Sequence, residues 1–290
     1  MAGVAIVTDT THYMPRDLAR ARGVQQVSLY VSWGEEAFRE SEIADYDAFY
    51  ERLRSGREMP STSQPSIGDF LAVYEPLLEA GQDICSIHLS GGISGTFGAA
   101  TQARALLEER GLSERIETID GETACGGLAG VVLAAAAAAD GGAGLATVSE
   151  RARRAREALD IWFCVDTLEF LQRGGRIGRA QAWLGGALRV KPILSLGSEI
   201  LPVERVRTAG RAFERMVEYM TSLHDRGADG WIVQHIQAAE QAERLVERGR
   251  ELFGSEPLFV SEVGPVIGVY TGPGLLGVGG LPARFLSPAG

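Results

Sequence analysis

The sequence is poor in the residues that carry redox, metal and nucleophilic chemistry. Its 290 residues include three cysteines, four histidines and a single lysine, Lys191. Cys85, Cys125 and Cys164 lie far apart without CxxC spacing, and the first and third interrupt apolar runs, which excludes a disulfide framework and suits small buried hydrophobes in a reducing compartment. There is no His/Cys cluster of metal-ligand spacing, no GxxxxGK phosphate loop and no dinucleotide fingerprint, so neither metal nor cofactor is expected. Basic charge is scarce too. The 28 Lys and Arg against 38 Asp and Glu give a formal charge of −10, which repels a phosphate backbone and argues against nucleic-acid binding. No basic segment or cleavage signal precedes Val4-Ala5-Ile6-Val7, so no secretory leader is expected, and the protein is assigned to the cytoplasm. Long apolar runs are missing as well. Residues 123–139 are uncharged, but eight are alanine and three glycine, short and weakly hydrophobic for a bilayer span; a helix buried in protein is expected, with no stable membrane insertion.

What is present reads as a globular chain, 45% hydrophobic and 23% charged, long enough for two domains. Apolar periodicity and caps predict strands over 4–8 and 24–31 and helices over 15–22, 45–55 and 67–80. A strand over 83–89, a helix over 95–109, a strand over 115–119 and the alanine-rich helix complete a βαβα order, which implies a mostly parallel sheet covered by helices. After the break at Asp140-Gly-Gly-Ala-Gly come an arginine-rich helix over 147–159 and a strand over 161–165. A hairpin turning at Gly197-Ser198-Glu199 and helices over 211–223 and 238–252 follow. A strand over 231–236 lies between those helices, and two terminal strands, 258–262 and 266–270, are expected after them. The expected fold is therefore an α/β domain over 1–158 with a mostly parallel sheet, then an α+β domain over 159–290 with a mixed sheet.

Several segments carry candidate chemistry. Ser61-Thr62-Ser63-Gln64-Pro65-Ser66 stands before a helix, where free N–H groups and the dipole favour an anion; Ser66 with Asp69 equally makes a capping box. Ser90-Gly-Gly-Ile-Ser94-Gly95-Thr96 follows a strand and opens a helix, the place where open α/β sheets bind ligands, though an N-cap would also explain Ser94. An esterase-like use of Ser94 is the rival reading. It lacks the second glycine of a nucleophile elbow, and no histidine partner is evident for it. Asp9-Thr10-Thr11 ends the first strand and reads as a turn closure or, less directly, as a phosphate-transfer aspartate. Residues 173–207 hold seven basic side chains (Arg173, Arg176, Arg179, Arg189, Lys191, Arg205, Arg207) against two acidic ones, a surplus that suits an anion or acidic partner and is also compatible with solvated helix ends. Gly272-Pro273-Gly274 fixes a tight turn next to Tyr270 and Thr271.

Taken in order along the chain, Val7-Thr8-Asp9, Ser61-Thr62-Ser63-Gln64-Pro65-Ser66, Ser94-Gly95-Thr96, Asp166-Thr167-Leu168, Arg173-Gly-Gly-Arg176-Ile177, Lys191-Pro192-Ile193 and Thr271-Gly272-Pro273-Gly274 resemble the DegV family of fatty-acid-binding proteins. The resemblance implies a DegV-like pair of domains with a long-chain acyl group in a tunnel. It also implies a carboxylate held by Thr62 and Ser94, with Ser63, Gly95, Tyr270 and Arg176 around it. In such a family the carrier has no turnover and presents its fatty acid to a separate kinase, which makes an acyl phosphate for phospholipid synthesis; a monomer is expected here. Arg173, Arg179, Arg205 and Arg207 would face that kinase or its nucleotide. Two positions depart from the pattern: Tyr270 stands where histidine is usual, and Gly91 where a second serine is common. A phenol donates one hydrogen bond but stays neutral near pH 7, unlike histidine. A binding module for another amphiphile is the remaining alternative. Burial of a sixteen-carbon chain contributes on the order of 10 kcal/mol before binding costs, so a head group needs orienting more than gripping.

Overall fold

The computed structural model describes residues 3–56, 58–184 and 190–288; Arg189 of the basic run lies outside them. The first half runs β1 (Val4–Asp9), α1 (Arg16–Ala21), β2 (Gln25–Val27), β3 (Tyr30–Trp33), β4 (Glu36–Arg39), α2 (Tyr46–Arg54), β5 (Ser61–Ser63), α3 (Ile67–Glu79), β6 (Asp83–His88), α4 (Thr96–Leu106), β7 (Ile116–Asp120), α5 (Cys125–Asp140) and α6 (Leu145–Ala158). The second runs β8 (Asp160–Cys164), α7 (Glu169–Arg173), β9 (Lys191–Leu196), β10 (Ile200–Val206), α8 (Ala209–Asp225), β11 (Gly230–His235), α9 (Ala239–Phe253), β12 (Val260–Glu262), α10 (Pro265–Thr271) and β13 (Leu276–Leu281).

Strands β2-β1-β6-β7 form an all-parallel sheet. All six residues of β1 are buried, as expected for a parallel strand covered on both faces. Strands β10-β9-β8-β13-β11-β12 form a mixed sheet in which only β11 and β12 run parallel. A small antiparallel sheet, β4-β3-β5, projects from the first half. The N-terminal parallel sheet and the C-terminal mixed sheet are those expected. The proposed domain boundary at 158 would fall on the last residue of α6.

The layers alternate helix, sheet, helix, sheet, helix. Phe70 and Tyr74 of α3 and Ala100 of α4 cover one face of the parallel sheet. Met216 of α8 and Leu245 of α9 cover the outer face of the mixed sheet around Trp231. Between the sheets lies α5, whose residues from Gly126 to Ala138 are all buried and which touches β1, β6, β11 and β13. A helix that is apolar all round is one that is buried all round, and alanine lets both sheets approach its backbone. Among the described residues no helix is long and apolar enough to cross a membrane.

Two expectations are corrected. Residues 24–31 do not form one strand: β2 ends at Val27, and Tyr30 begins β3 in a different sheet, with Ser28 and Leu29 turning the chain between them. Residues 266–270 are helical. Pro265 occupies the first helical turn with its φ preset, and packing overrides the strand preference of Val266, Ile267 and Val269. The last strand is instead the glycine-rich β13, whose composition reads as loop although it sits between β8 and β11.

Tyr50 of α2 ties the halves together, donating from its buried Oη to the carbonyl of Val263 at 2.6 Å. Tyr50→Phe should lower stability by about 1–2 kcal/mol through the orphaned carbonyl, read as a shifted urea midpoint with unchanged slope.

Candidate functional site

A cavity of about 310 Å³ opens inside the molecule with walls from both halves of the chain. Strand alternation explains its floor: Ile161 and Phe163 of β8, and Gly277 and Gly279 of β13, point to one face, with Ile232 beside them. Ala124 and Gly126 at the start of α5 and Val266 and Ile267 of α10 close the sides. Nearly all of this is hydrocarbon. Gln234 is the exception, and its side chain is occupied: Oε1 accepts from Gly126 N, and Nε2 donates to Ser261 Oγ at 2.9 Å.

Polar groups gather at the other end. Thr62 of β5 and Tyr270 of α10 share a hydrogen bond of 2.5 Å between Oγ1 and Oη, although 208 residues separate them. The Arg176 guanidinium lies 4.8 Å from the centre of the Tyr270 ring, and its Nε donates to the carbonyl of Ile93 at 3.4 Å. Ser94 Oγ pairs with Thr96 Oγ1 at 2.9 Å and accepts from Thr96 N at 3.3 Å. Ser63, Gln64 and Gly95 complete this end. Arg176 is the only charged side chain among the described lining residues. An apolar chamber with neutral donors and one cation at its mouth suits an amphiphile with an anionic head.

Close approaches of backbone build the mouth. A Cβ on Gly174 would lie 2.2 Å from the Tyr270 ring, so the Arg-Gly-Gly-Arg turn must be bare there for the phenol to reach Thr62. A Cβ on Gly92 would lie 2.0 Å from the carbonyl oxygen of Ser198. The tip of the β9–β10 hairpin therefore presses on the loop that carries Ser94, and Ser90 Oγ donates to that same carbonyl at 2.8 Å.

The loop is held from beneath by Asp9, which is fully buried. Its Oδ1 accepts from Thr11 N at 3.0 Å and Thr11 Oγ1 at 2.6 Å, the turn closure expected. Its Oδ2 reaches further, to Leu89 N at 2.9 Å and His88 Nδ1 at 3.1 Å. Burial works to raise the pKa of Asp9, but hydrogen bonding to His88, Thr11 and Leu89 outweighs it and holds the carboxyl below its ordinary value. Beyond His88, Nε2 meets Ser86 Oγ at 2.7 Å, which accepts from Tyr74 Oη at 2.7 Å. Asp9, His88 and Ser86 thus stand in the order of a hydrolytic triad. All three are fully buried and none lines the cavity, so the chain is a sealed structural relay. Among the described residues, no histidine or carboxylate lines the cavity with Ser94.

Thr62, Ser63, Ser94, Gly95, Arg176 and Tyr270 are thus brought to one cavity. Arg173, Arg179, Arg205 and Arg207 do not line it. They are exposed, Arg173 paired with Glu169 and Arg205 stacked 5.2 Å from the Trp183 ring centre. Lys191 pairs with Asp166. Ser66 is spent on the capping box with Asp69, and Gly91 offers its N–H to Asp120 at 3.1 Å. Sequence reasoning missed Gln64 as a lining residue, though it sits inside the serine-rich segment. It also missed the chamber walls, which carry no signal that separates them from ordinary core.

A family model described as "Uncharacterised protein, DegV family" matches residues 3–283. A DegV domain-containing protein of Streptomyces coelicolor is 38% identical over 278 residues, covering 95% of this chain and 97% of that protein. The architecture is similar to the crystal structure of DegV, a fatty acid binding protein from Bacillus subtilis, with TM-score 0.84 and 32% identity over 97% of this chain and 100% of that one. It is also similar to a structure describing fatty acid binding of a DegV family protein from Thermus thermophilus, with TM-score 0.86 and 32% identity over 97% and 99% of the two chains.

Asp9→Asn removes an acceptor shared by Leu89 and His88 and should cost about 2–3 kcal/mol near neutral pH. Because the folded pKa is lowered, the contribution of Asp9 is present above the ordinary carboxyl value and disappears as pH falls through the folded one. Urea titrations of the two proteins should therefore converge in acid.

Proposed function

The chain belongs to the DegV family, and from that premise we propose that it is a non-catalytic carrier that buries a long-chain fatty acid and presents its carboxylate to a separate fatty acid kinase. The observation that carries the proposal is the cavity itself, chiefly hydrocarbon apart from the internally bonded Gln234 amide and a polar mouth of hydroxyls, Gln64 and one guanidinium. Two relatives of the same architecture are known as fatty acid binders. Thr62, Ser63, Ser94, Gly95 and Tyr270 would orient the carboxylate, and Arg176 would offset its charge. The carboxylate has to replace or join the Thr62–Tyr270 bond, a near exchange of one hydrogen bond for another. Affinity then comes chiefly from the chain, at ~0.8 kcal/mol per buried methylene.

The kinase step rests on the family resemblance and on the exposed arginines of the basic segment, Arg173, Arg179, Arg205 and Arg207, as a surface for an acidic partner or for nucleotide phosphates. The proposal places a monomeric carrier in the cytoplasm, serving phospholipid synthesis and using no cofactor. Among the described residues no base lines the cavity with Ser94, so turnover of an ester is not expected.

Protein purified natively and then denatured should release a long-chain fatty acid in near-stoichiometric amount, identified by mass spectrometry; a different amphiphile would redirect the proposal, and an empty protein that refuses oleate and palmitate would end it. Thr62→Val with Ser94→Ala should weaken fatty acid binding by about tenfold or more and depress acyl-phosphate formation by the kinase. Unchanged turnover would remove both residues from the head-group site.

A further inference from the structure

α10 carries Tyr270 to the mouth and Val266 and Ile267 to the chamber, yet its seven residues are too few to hold a helix by themselves. Its first turn is held from outside. Pro265 has no N–H; Val266 N donates to Glu40 Oε1 at 2.8 Å, and Ile267 N donates to Tyr13 Oη at 3.2 Å. Tyr13 Oη in turn donates to the same Glu40 Oε1 at 2.7 Å, and Thr10 Oγ1 donates to Oε2 at 2.5 Å. One carboxylate from 226 residues upstream thus fixes the helix start directly and through Tyr13. Tyr270 lies one helical turn further on, so any tilt at Val266 displaces the phenol from Thr62.

Glu40 is only 2% exposed, and no Arg, Lys or His forms an ion pair with it among the described residues. The groups around it are Asp9 from β1, Tyr13 from the turn after β1, Tyr46 and Tyr50 from α2, and Cys125 from α5. Glu262 of β12 acts on both tyrosines of α2, and Arg16 of α1 on Tyr46. His12, which lines the same polar cleft as Glu40, is neutral, since burial pushes its pKa down to about 4.

We propose that Glu40 is a positioning residue for the head-group site: ionised, it locks the start of α10 so that Tyr270 meets Thr62; protonated, it relaxes that lock and weakens ligand binding. Hydrogen bonds to an ionised acceptor are roughly twice as strong as neutral ones. A proton on Oε2 turns the bond to Thr10 around, leaves Oε1 a neutral carbonyl, and so weakens its hold on Val266 and Tyr13. Burial, partly offset by the bonds from Thr10, Val266 and Tyr13, pushes the pKa of Glu40 up to about 7, which places the switch in the ordinary pH range. The sign for stability is opposite to that of Asp9. Glu40 has its folded pKa raised above the ordinary 4.5, so its contribution falls as pH rises from there through about 7, and the charge serves the site at the expense of the fold.

The inference rests on the fatty-acid reading only for the identity of the ligand. Glu40→Gln keeps an acceptor for Val266 and a donor for Thr10, and mimics the protonated state. Oleate affinity of the unaltered protein, relative to that of E40Q at the same pH, should rise about threefold or more between about pH 6 and about pH 8, the effect of a half-unit pKa shift on binding. Taking the ratio cancels the ionisation of oleate itself. Parallel profiles for the two proteins would overturn the assignment. If oleate binds neither protein, the fatty-acid reading fails, and hydrogen exchange in the empty proteins decides the inference instead: protection of the Val266 and Ile267 amides relative to E40Q should grow over the same interval, and a flat ratio overturns it.

Discussion

Burial of α5 on every side between two sheets is the constraint that the rest of the structure obeys. A helix with sheet on both flanks cannot carry a polar stripe, and it cannot carry bulky side chains if both sheets are to reach it. Alanine and glycine meet both demands. The same thinness sets where a cavity can exist. Along the helix the sheets are filled by its small side chains and those of Leu128, Val131 and Val132; at its start, beside Ala124 and Gly126, the space between the flanking elements is left to something else. The chamber is thus the continuation of the α5 layer beyond the end of α5.

The mouth follows a different logic. Its polar side chains are few and, apart from Arg176, neutral, and the placement of Ser94 and Tyr270 is delegated to buried carboxylates beneath them. Asp9 holds the loop leading to Ser94 through Leu89, and Glu40 holds the helix leading to Tyr270 through Val266. The two acids resolve burial in opposite ways. Asp9 collects enough donors, His88 included, to remain ionised deep in the core, whereas the donors around Glu40 do not outweigh its desolvation.

What could be read from the sequence was the polar half of this arrangement. Ser94 and Thr62 stand beside helix starts, and short-range rules see such places. The order of the weak motifs supplied what spacing alone could not: that Tyr270, Arg176 and Thr62 share one site. The fold was legible where elements were long and periodic, as in α8 and α9, or long and uniformly apolar, as in α5. It was misread where tertiary contacts overrule local preference. α10 is rich in β-branched residues and is helical because Pro265, Glu40 and Tyr13 make it so. β13 is half glycine and is a strand because β8 and β11 flank it. The roles of Asp9 and Glu40 were invisible for a related reason, since each acts on backbone 80 or 226 residues away.

The Thr62–Tyr270 bond spans 208 residues of chain, and the hairpin tip at Ser198 braces the loop of Ser94 from the other half. Neither half contains a mouth by itself. On a ribosome, the segment that ends with the first sheet emerges with its hydroxyls already in sequence but with nothing opposite them, and the partner phenol is made 208 residues after Thr62. The mouth is therefore a joint property of the two halves: either one separated from the other would expose the apolar wall of the chamber without the polar rim that closes it.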